Sequence, residues 1–170
     1  MSLRLMQEVD LMGYKALRDA MLARHPEAFT SDAETEVRRD LASYRGRLAG
    51  GNNGTTLFTL VALDAGRVVG GLTCEREARQ KVQHIAHLVG MMVADSHRGR
   101  GVGRALLGAA LARLRATPGL AQVTLSVTAG NQAAIALYTG MGFERYGSLP
   151  DAIRLPDGRS LAKDLMRLGL

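Results

Sequence analysis

A glycine- and arginine-rich segment between residues 98 and 104 carries residue types suited to binding an anion. Its arginines and glycines alternate in the order Arg98, Gly99, Arg100, Gly101, Gly103 and Arg104. An apolar run typical of a strand, His87 to Val93, precedes it, and an Ala/Leu-rich run typical of a helix, Val102 to Leu114, follows it. Glycine permits positive φ and close approach, and a helix N-terminus offers unpaired N–H groups. With the guanidinium groups, these donors predict a site for a multiply charged anion, most naturally a diphosphate.

Two common glycine motifs do not fit this segment. Gly103 and Gly108 have the spacing of a P-loop, but alanines follow where that motif requires lysine and serine or threonine. A dinucleotide fingerprint starting at Gly101 requires a small residue where this chain has Leu106. It also requires an acidic residue about twenty positions further on, where the chain runs from Ala121 to Val127. Neither motif is present.

The pattern Arg98-Gly-Arg-Gly101-Val-Gly103, joining a predicted strand to a predicted helix, resembles the acetyl-CoA signature of the GNAT N-acetyltransferases. In that family the main-chain amides of the loop hold the pyrophosphate of coenzyme A. The resemblance therefore implies that the cofactor-binding residues include Arg98, Gly99, Arg100, Gly101, Val102, Gly103 and Arg104. A solvated basic turn is the alternative interpretation of the same six-residue pattern.

The resemblance implies further cofactor contacts. In the family the fourth and fifth strands separate, and pantetheine lies in the gap like an added strand. Here this implies main-chain contacts from Met92 and Val93. Asn131 and Tyr138 are seven residues apart on one face of a predicted short helix, and the resemblance places Asn131 at the cofactor and Tyr138 near its sulfur. The alternatives are a helix N-cap for Asn131 and a core tyrosine for Tyr138.

The reaction implied by the family is direct transfer of acetyl from the thioester to an amine, with Tyr138 donating a proton to the departing thiolate. A lysine-type ammonium has a pKa of about 10.4, so some base must take its proton. Glu75 and His87, on neighbouring predicted strands, are the candidate bases, although the motif fixes neither. The backbone N–H of Val93 is the candidate donor to the oxyanion.

Two other chemistries find little support. Cys74 lies within an apolar strand pattern with no histidine paired by local sequence, so we expect a buried thiol rather than an acyl-carrying nucleophile. His84 and His87 are three residues apart, without a nearby carboxylate or thiol cluster, so no metal site is expected.

The N-terminal third predicts two helices. Apolar residues at helical spacing run from Leu11 to Arg24, where Pro26 follows. A capping box at Ser31-Asp-Ala-Glu34 predicts a second helix, with Val37, Leu41, Tyr44 and Leu48 as its apolar stripe. Residues 50–54 then predict a loop.

Strand patterns follow at Thr56 to Leu63, Val68 to Glu75 and His84 to Val93, and short connections indicate an antiparallel meander. After the glycine loop come a helix, an alternating strand from Ala121 to Thr128 and a short helix from Gln132 to Thr139. Two final strands, from Phe143 and from Leu161 to Leu168, are joined by a hairpin connection predicted at Pro156-Asp-Gly-Arg159. The predicted fold class is α/β, GNAT-like, with a mostly antiparallel mixed sheet, a splayed central parallel pair that holds CoA, and about four flanking helices.

The length and composition of the chain are typical of a globular protein. The chain has 170 residues, 46% hydrophobic and 22% charged, with a net charge of +6 and one cysteine. We expect one domain over 1–170, in which 1–54 lines the acceptor side and 55–170 forms the sheet and CoA-binding core. No apolar run approaches the roughly 18 residues of a membrane span, and no signal peptide is visible, so a cytoplasmic protein without membrane partners is expected.

The leading hypothesis is an acetyl-CoA-dependent N-acetyltransferase acting on a primary amine through a ternary complex. A non-catalytic CoA-binding regulatory domain is the alternative. A nucleic-acid module is not expected, because the seven aromatic residues form no stacking platform with the basic ones. The resemblance leaves a homodimer possible. The acceptor cannot be identified from the sequence, and the first two helices and the Ser148–Arg159 loop are expected to line its pocket.

Overall fold

The computed structural model describes residues 1–170, which form one seven-stranded sheet with helices on both faces. The strands are β1 (Ser2–Leu5), β2 (Thr56–Asp64), β3 (Arg67–Arg76), β4 (Ile85–Val93), β5 (Gln122–Thr128), β6 (Glu144–Arg154) and β7 (Ser160–Gly169). They lie in the order β1-β2-β3-β4-β5-β7-β6. Only β4 and β5 are parallel, and every other neighbouring pair is antiparallel. The predicted mixed α/β sheet with one central parallel pair is confirmed.

Four α-helices flank the sheet. They are α1 (Leu11–Arg24), α2 (Ala33–Val37), α3 (Val102–Arg115) and α4 (Gln132–Thr139). The apolar stripe predicted for α3 is buried, since Leu107, Ala110, Leu111 and Leu114 are each at most 2% exposed. Each buried leucine contributes about 1.5–3 kcal/mol, so this stripe fixes the helix on the sheet. No helix is long and apolar enough to span a bilayer.

Two adjacent glycines in β3 set how closely the helices approach the sheet. A Cβ on Gly70 would lie 3.0 Å from Leu106 in α3, and a Cβ on Gly71 would lie 2.8 Å from the ring of Tyr14 in α1. Because successive residues of a strand point to opposite faces, α3 and α1 cover opposite faces of the sheet. The close approach at Gly71 seats the Tyr14 side chain directly against the strand.

The short strand β1 was not predicted. Its four residues pair antiparallel with β2, from Ser2 opposite Leu63 to Leu5 opposite Leu60. A four-residue edge strand contains too few alternating positions to be distinguished from a loop in the sequence, although Leu3 and Leu5 both pack against the core.

The predicted second helix is wrong over most of its length. Its α-helical part ends at Val37, and a separate 3₁₀ segment, Leu41–Arg47, follows. The N-cap is Asp32, whose carboxylate accepts the N–H of Thr35, rather than Ser31. Asp40 begins the second segment in extended geometry, so the chain is interrupted there. As a result Val37 and Leu41 are exposed, and the stripe expected from helical spacing does not form.

A buried ion pair holds these segments to α1. The carboxylate of Glu36 accepts a hydrogen bond from the Tyr44 hydroxyl at 2.6 Å. The same carboxylate lies 3.3 Å from Arg18 Nε and 3.1 Å from Arg39 Nη1. Burial alone raises the pKa of Glu36. The hydrogen bonds from Tyr44 and Arg18 and the charges of Arg18 and Arg39 outweigh it, and lower the pKa to about 2. Glu36 is therefore ionised in the folded protein well below its ordinary range.

This depressed pKa predicts an acid-dependent loss of stability. Because the folded-state pKa lies below the unfolded value of 4.5, the pairing stabilises fully above that pH and is lost as pH falls toward 2. The full effect is about 3 kcal/mol. Between about pH 7 and about pH 3, the Tm of Glu36→Gln should fall less than that of wild type. The control Glu34→Gln, on the exposed side of the same helix, should show the same change of Tm with pH as wild type. If Tm depends on pH equally in all three proteins, the depressed pKa does not belong to Glu36.

The segment expected as a loop between Ser148 and Arg159 is mostly a strand. Residues up to Arg154 belong to β6 and pair with β7, with an irregularity between Leu149 and Ile153 where Asp151 adopts a φ of 50°. The connection between β6 and β7 is the hairpin predicted at Pro156-Asp-Gly-Arg159. The sequence predicts a strand starting at Phe143 but not how far it extends, because bulges disturb the period of two.

Candidate functional site

The parallel strands β4 and β5 separate after three paired positions. The pairing runs from Ile85 opposite Gln122 to His87 opposite Thr124 and then stops. Beyond it the two strands line a cleft of about 1040 Å³, which continues along the loop before α3. All the residues predicted to bind the cofactor, apart from Arg100, line this cleft: Met92, Val93, Arg98, Gly99, Gly101, Val102, Gly103, Arg104, Asn131 and Tyr138.

The loop before α3 leaves consecutive main-chain donors unpaired. The N–H of Arg98 donates to Asp95, and the next N–H with a main-chain acceptor is that of Ala105. The N–H groups from Gly99 to Arg104 have no acceptor in the protein. The N–H groups in the first turn of any helix have no acceptor within that helix, so their acceptor is a side chain, water or a ligand. This row of donors therefore fits an anionic group bound from outside the chain.

The start of α3 differs from those of α2 and α4 in having no side-chain cap. Asp32 caps α2, and the Asn131 side chain accepts the N–H of Ala134 at 3.1 Å to cap α4. At α3 the capping position is Gly101, with a φ of 77°, and Gly99 has a φ of 74°. A Cβ at either glycine would meet no atom within 4 Å, so the space beside the loop is open. Glycine is required here by the left-handed backbone, not by crowding.

Charges around the loop are mostly positive. Arg98, Arg100 and Arg104 are exposed, while two carboxylates lie nearby: Asp95 is 3.1 Å from Arg98 Nε, and Asp64 is 3.1 Å from His97 Nε2. A hydrogen bond with His25 at 2.8 Å, and further bonds and charges from Arg24 and Arg98, hold the pKa of Asp95 below its usual value. The Asp95 carboxylate thus ties the end of α1 to the loop and leaves a net positive surface for an anion.

The backbone of β4 presents hydrogen-bonding groups to the gap. The N–H of Ala94 donates to Val69 in β3 at 2.9 Å. Because alternate residues of a strand direct their N–H and C=O groups to opposite edges, Val93 directs its groups away from β3 and toward the gap. A bulge at Gly90, which has a φ of 63°, shifts the β3–β4 register between Gly71 and Thr73. The sequence patterns did not predict this bulge.

Tyr138 lies at the wall of the cleft, in α4. Its ring packs edge-on against Phe143, with the ring centroids 5.9 Å apart, and its side chain is 7% exposed. Burial raises the pKa of its phenol to about 12. The hydroxyl therefore stays protonated throughout the neutral range and can act as a proton donor, but not as a base, there.

The two candidate bases lie opposite each other in β3 and β4, outside the residues that line the cleft. The Glu75 carboxylate is 3.7 Å from Arg47 Nη1. His87 Nδ1 is 2.7 Å from the Thr124 hydroxyl, and its Nε2 is 3.6 Å from Glu77. Both roles stay predictions. Cys74 is fully buried, and burial raises the pKa of its thiol, as expected for an inert core cysteine.

Several residues that line the cleft were not identified from the sequence. The turn after α1 closes one side, where the carbonyl of Glu27 accepts the Thr128 hydroxyl at 2.7 Å. Lys163 of β7 reaches across to donate to Thr30, and burial lowers the pKa of its ammonium. Arg18 also lines the cleft. These contacts join segments more than a hundred residues apart, so no local sequence signal indicates them.

The seven-stranded sheet, its opened parallel pair and the uncapped glycine loop together define an acetyltransferase fold. The family model described as the acetyltransferase (GNAT) family matches residues 14–143. The chain belongs to this GNAT family. The resemblance drawn from the glycine loop is thereby confirmed.

Known proteins resemble this chain over most of its length. The ribosomal-protein-alanine N-acetyltransferase from Brucella melitensis is 27% identical, with a TM-score of 0.85 and 100% of both chains covered. The yncA protein of Salmonella typhimurium, solved with its cofactor acetyl-CoA, is 22% identical, with a TM-score of 0.81 over 100% of this chain and 94% of that one. The mycothiol acetyltransferase of Salinispora tropica is 33% identical over 134 residues, which are 78% of this chain and 41% of that protein. This chain therefore spans less than half the length of that relative.

Proposed function

We propose that this chain is an acetyl-CoA-dependent N-acetyltransferase that transfers acetyl directly to a primary amine in a ternary complex. The observation that carries the proposal is the row of unpaired N–H groups from Gly99 to Arg104 at the mouth of the cleft. Membership of the GNAT family and the open strands β4 and β5 support it. The donor row fits a pyrophosphate, and the extended backbone at Val93 fits an amide-containing arm.

Acetyl-CoA, when bound, supplies the acetyl group as a thioester. In the proposed mechanism the loop amides and arginines hold the pyrophosphate, while the main chain of Val93 orients the arm; the main-chain groups of Met92, the other residue expected here, alternate with those of Val93 and face β3. The N–H of Val93 donates to the oxyanion. The Tyr138 hydroxyl donates its proton to the departing sulfur, since its raised pKa keeps it protonated. Glu75 is the proposed final acceptor of the amine's proton, with His87 as the alternative; because neither residue lines the cleft, the proton is proposed to reach it through water.

Direct transfer is favoured over an acyl-enzyme on cysteine. The chain has one cysteine, Cys74, which is 0% exposed and whose thiol pKa is raised by burial. A thiolate is the nucleophilic form of cysteine, so this group is poorly placed to accept an acetyl group. The amine itself is therefore proposed as the attacking group.

Acetyl-CoA is expected to bind saturably and to stabilise the protein against heat. At about a hundred times Kd the Tm should rise by about 5 to 10 °C, as mass action requires for a ligand that binds only the folded state. Calorimetric titration and thermal denaturation measure this, and release of free CoA thiol across a panel of amines measures transfer. Absence of binding would contradict the proposal. Binding without transfer to any amine would favour the CoA-binding regulatory domain.

A further inference from the structure

Three polar atoms converge on one small volume beside Gly90, at the bulge of β4. A Cβ on this glycine would lie 3.6 Å from the Tyr14 hydroxyl, 3.8 Å from Arg18 Nη1 and 3.9 Å from Arg47 Nη1. All three atoms can donate hydrogen bonds, and two belong to cations. Gly90, Arg18 and Arg47 line the cleft between β4 and β5, so this volume opens into it.

The Tyr14 hydroxyl is buried without a partner. Tyr14 is 0% exposed, and its hydroxyl makes no hydrogen bond in the protein. Buried polar groups are nearly always satisfied, because an unmade hydrogen bond leaves the cost of removing the group from water uncompensated. Tyr14 does not itself line the cleft, but its unpaired hydroxyl lies beside Gly90, which does, so a ligand atom seated beside Gly90 can accept its hydrogen bond.

Arg18 has a free donor at the same point. Its Nη2 donates to Ser31 and Glu36, and its Nε lies 3.3 Å from Glu36, so this carboxylate fixes the guanidinium from one side. Nη1, on the side of Gly90, makes no hydrogen bond to the protein. Glu36 also binds Arg39, so its single negative charge is shared between two arginines and leaves Arg18 incompletely neutralised.

Arg47 supplies the second cation. Its guanidinium makes no hydrogen bond to another protein group, and its nearest carboxylate, that of Glu75, is 3.7 Å away. The side chain is 21% exposed, so it is held within the protein rather than extended into solvent. A half-buried guanidinium that makes no hydrogen bond to the protein and pairs only loosely with Glu75 is well suited to bind a carboxylate.

We propose that Arg18, Arg47 and the Tyr14 hydroxyl form a subsite for a carboxylate carried by the amine acceptor. The substrate class is then an amino acid, or a small amine with a carboxylate close to it, rather than a polyamine or an aminoglycoside. This inference rests on the proposed N-acetyltransferase function. The subsite also lies close to the proposed oxyanion donor Val93, because Gly90 precedes Val93 by three residues, at most about 10 Å along the strand.

The test compares each of the twenty L-amino acids with its α-amide as acceptor, with acetyl-CoA and detection of free CoA thiol. Peptides with a free N-terminus and an acidic side chain form a second set of acceptors, and polyamines form a third. Wild type should acetylate at least one free amino acid with a kcat/KM about tenfold or more above that of its amide, the range expected for lost charge-assisted hydrogen bonds. If acidic peptides outperform the free amino acids, the proposed small-acceptor class is overturned. Preference for amides or polyamines would overturn the subsite.

Two variants and a matched control separate the subsite from general effects on folding. Arg47→Gln and Tyr14→Phe should each raise the KM of the preferred acceptor about tenfold or more, reduce its advantage over the amide, and leave the Kd for acetyl-CoA unchanged. Tyr14→Phe should also raise the Tm of the free protein, because it removes an unpaired buried hydroxyl. Arg45→Gln, an exposed neighbour paired with Glu8, should behave as wild type.

Failure of this inference is distinguishable from failure of the proposed function. Transfer to amines with equal efficiency for acids and amides, or equal KM values in Arg47→Gln and Arg45→Gln, would overturn the subsite and leave the acetyltransferase intact. If acetyl-CoA does not bind at all, both proposals fall together.

Discussion

Replacing Gly101 by alanine is expected to raise the Kd for acetyl-CoA about fivefold to thirtyfold. Gly101 holds a φ of 77° at the uncapped start of α3 and lines the cleft. An L-residue in this left-handed conformation is strained by roughly 1–2 kcal/mol. The loop can relieve that strain only by rotating its backbone, which turns the unpaired N–H groups of Gly99 to Arg104 away from a common anion. Calorimetric titration of acetyl-CoA measures the change.

Gly158→Ala is the matched control. Gly158 has a φ of 87° in the hairpin between β6 and β7, and a Cβ there, as at Gly101, would meet no atom within 4 Å. The two substitutions therefore carry similar backbone strain and should lower the Tm by similar amounts. Only Gly101→Ala should weaken acetyl-CoA binding. Equal affinities in both variants and wild type would show that the loop does not hold the cofactor.

Removing the Tyr138 hydroxyl is expected to lower kcat about a hundredfold or more, the usual contribution of a positioned general acid. Tyr138→Phe retains the edge-on packing against Phe143, and the hydroxyl makes no hydrogen bond whose loss would disturb the fold. The Kd for acetyl-CoA and the Tm should therefore stay close to wild type. Steady-state kinetics with the preferred amine, together with thermal denaturation, measure these effects.

The pH dependence adds a second readout. Because burial raises the pKa of Tyr138 to about 12, the proton donor remains present up to about pH 10, where an ordinary phenol is half ionised. The ratio of wild-type to Tyr138→Phe rates should accordingly stay constant from about pH 7 to about pH 10. Tyr146→Phe, at a position 55% exposed, should match wild type throughout. A Tyr138→Phe enzyme with unchanged kcat would exclude the hydroxyl as the acid.

The glycine loop could be predicted from the sequence because its signals are local. Gly99 and Gly101 both have positive φ, and helix α3 begins at Val102, as its neighbours in the sequence indicate. The strict alternation from Ala121 to Thr128 likewise predicted β5 to within one residue. In such segments the backbone conformation depends mainly on residues within a few positions.

The second helix could not be predicted, because distant residues decide its end. Helical spacing continued past Val37, but Glu36 is drawn inward by Arg18 of α1 and Tyr44. This buried ion pair outweighs the modest helix propensity of the residues that follow. The break at Asp40 and the exposure of Leu41 follow from it.

The carboxylate subsite was also hidden in the sequence. Tyr14 and Arg18 lie one turn apart on α1, where they are typical of an ordinary amphipathic helix. Arg47 lies in another segment, and the bulge at Gly90 that opens the space between them has no sequence pattern of its own. Only the sheet, with Gly71 admitting the Tyr14 ring, brings these groups together.

The most direct test follows the main-chain amides themselves by NMR as acetyl-CoA is added to the wild-type protein. The amide signals of Gly99 to Arg104, unpaired in the free protein, should shift and become protected from hydrogen exchange, and the amide of Val93 should change with them. The N–H of Thr35 at the capped start of α2, which does not line the cleft, serves as the internal reference for distant effects. If acetyl-CoA binds while the amides from 99 to 104 neither shift nor gain protection, the diphosphate is held elsewhere and the proposed site is wrong.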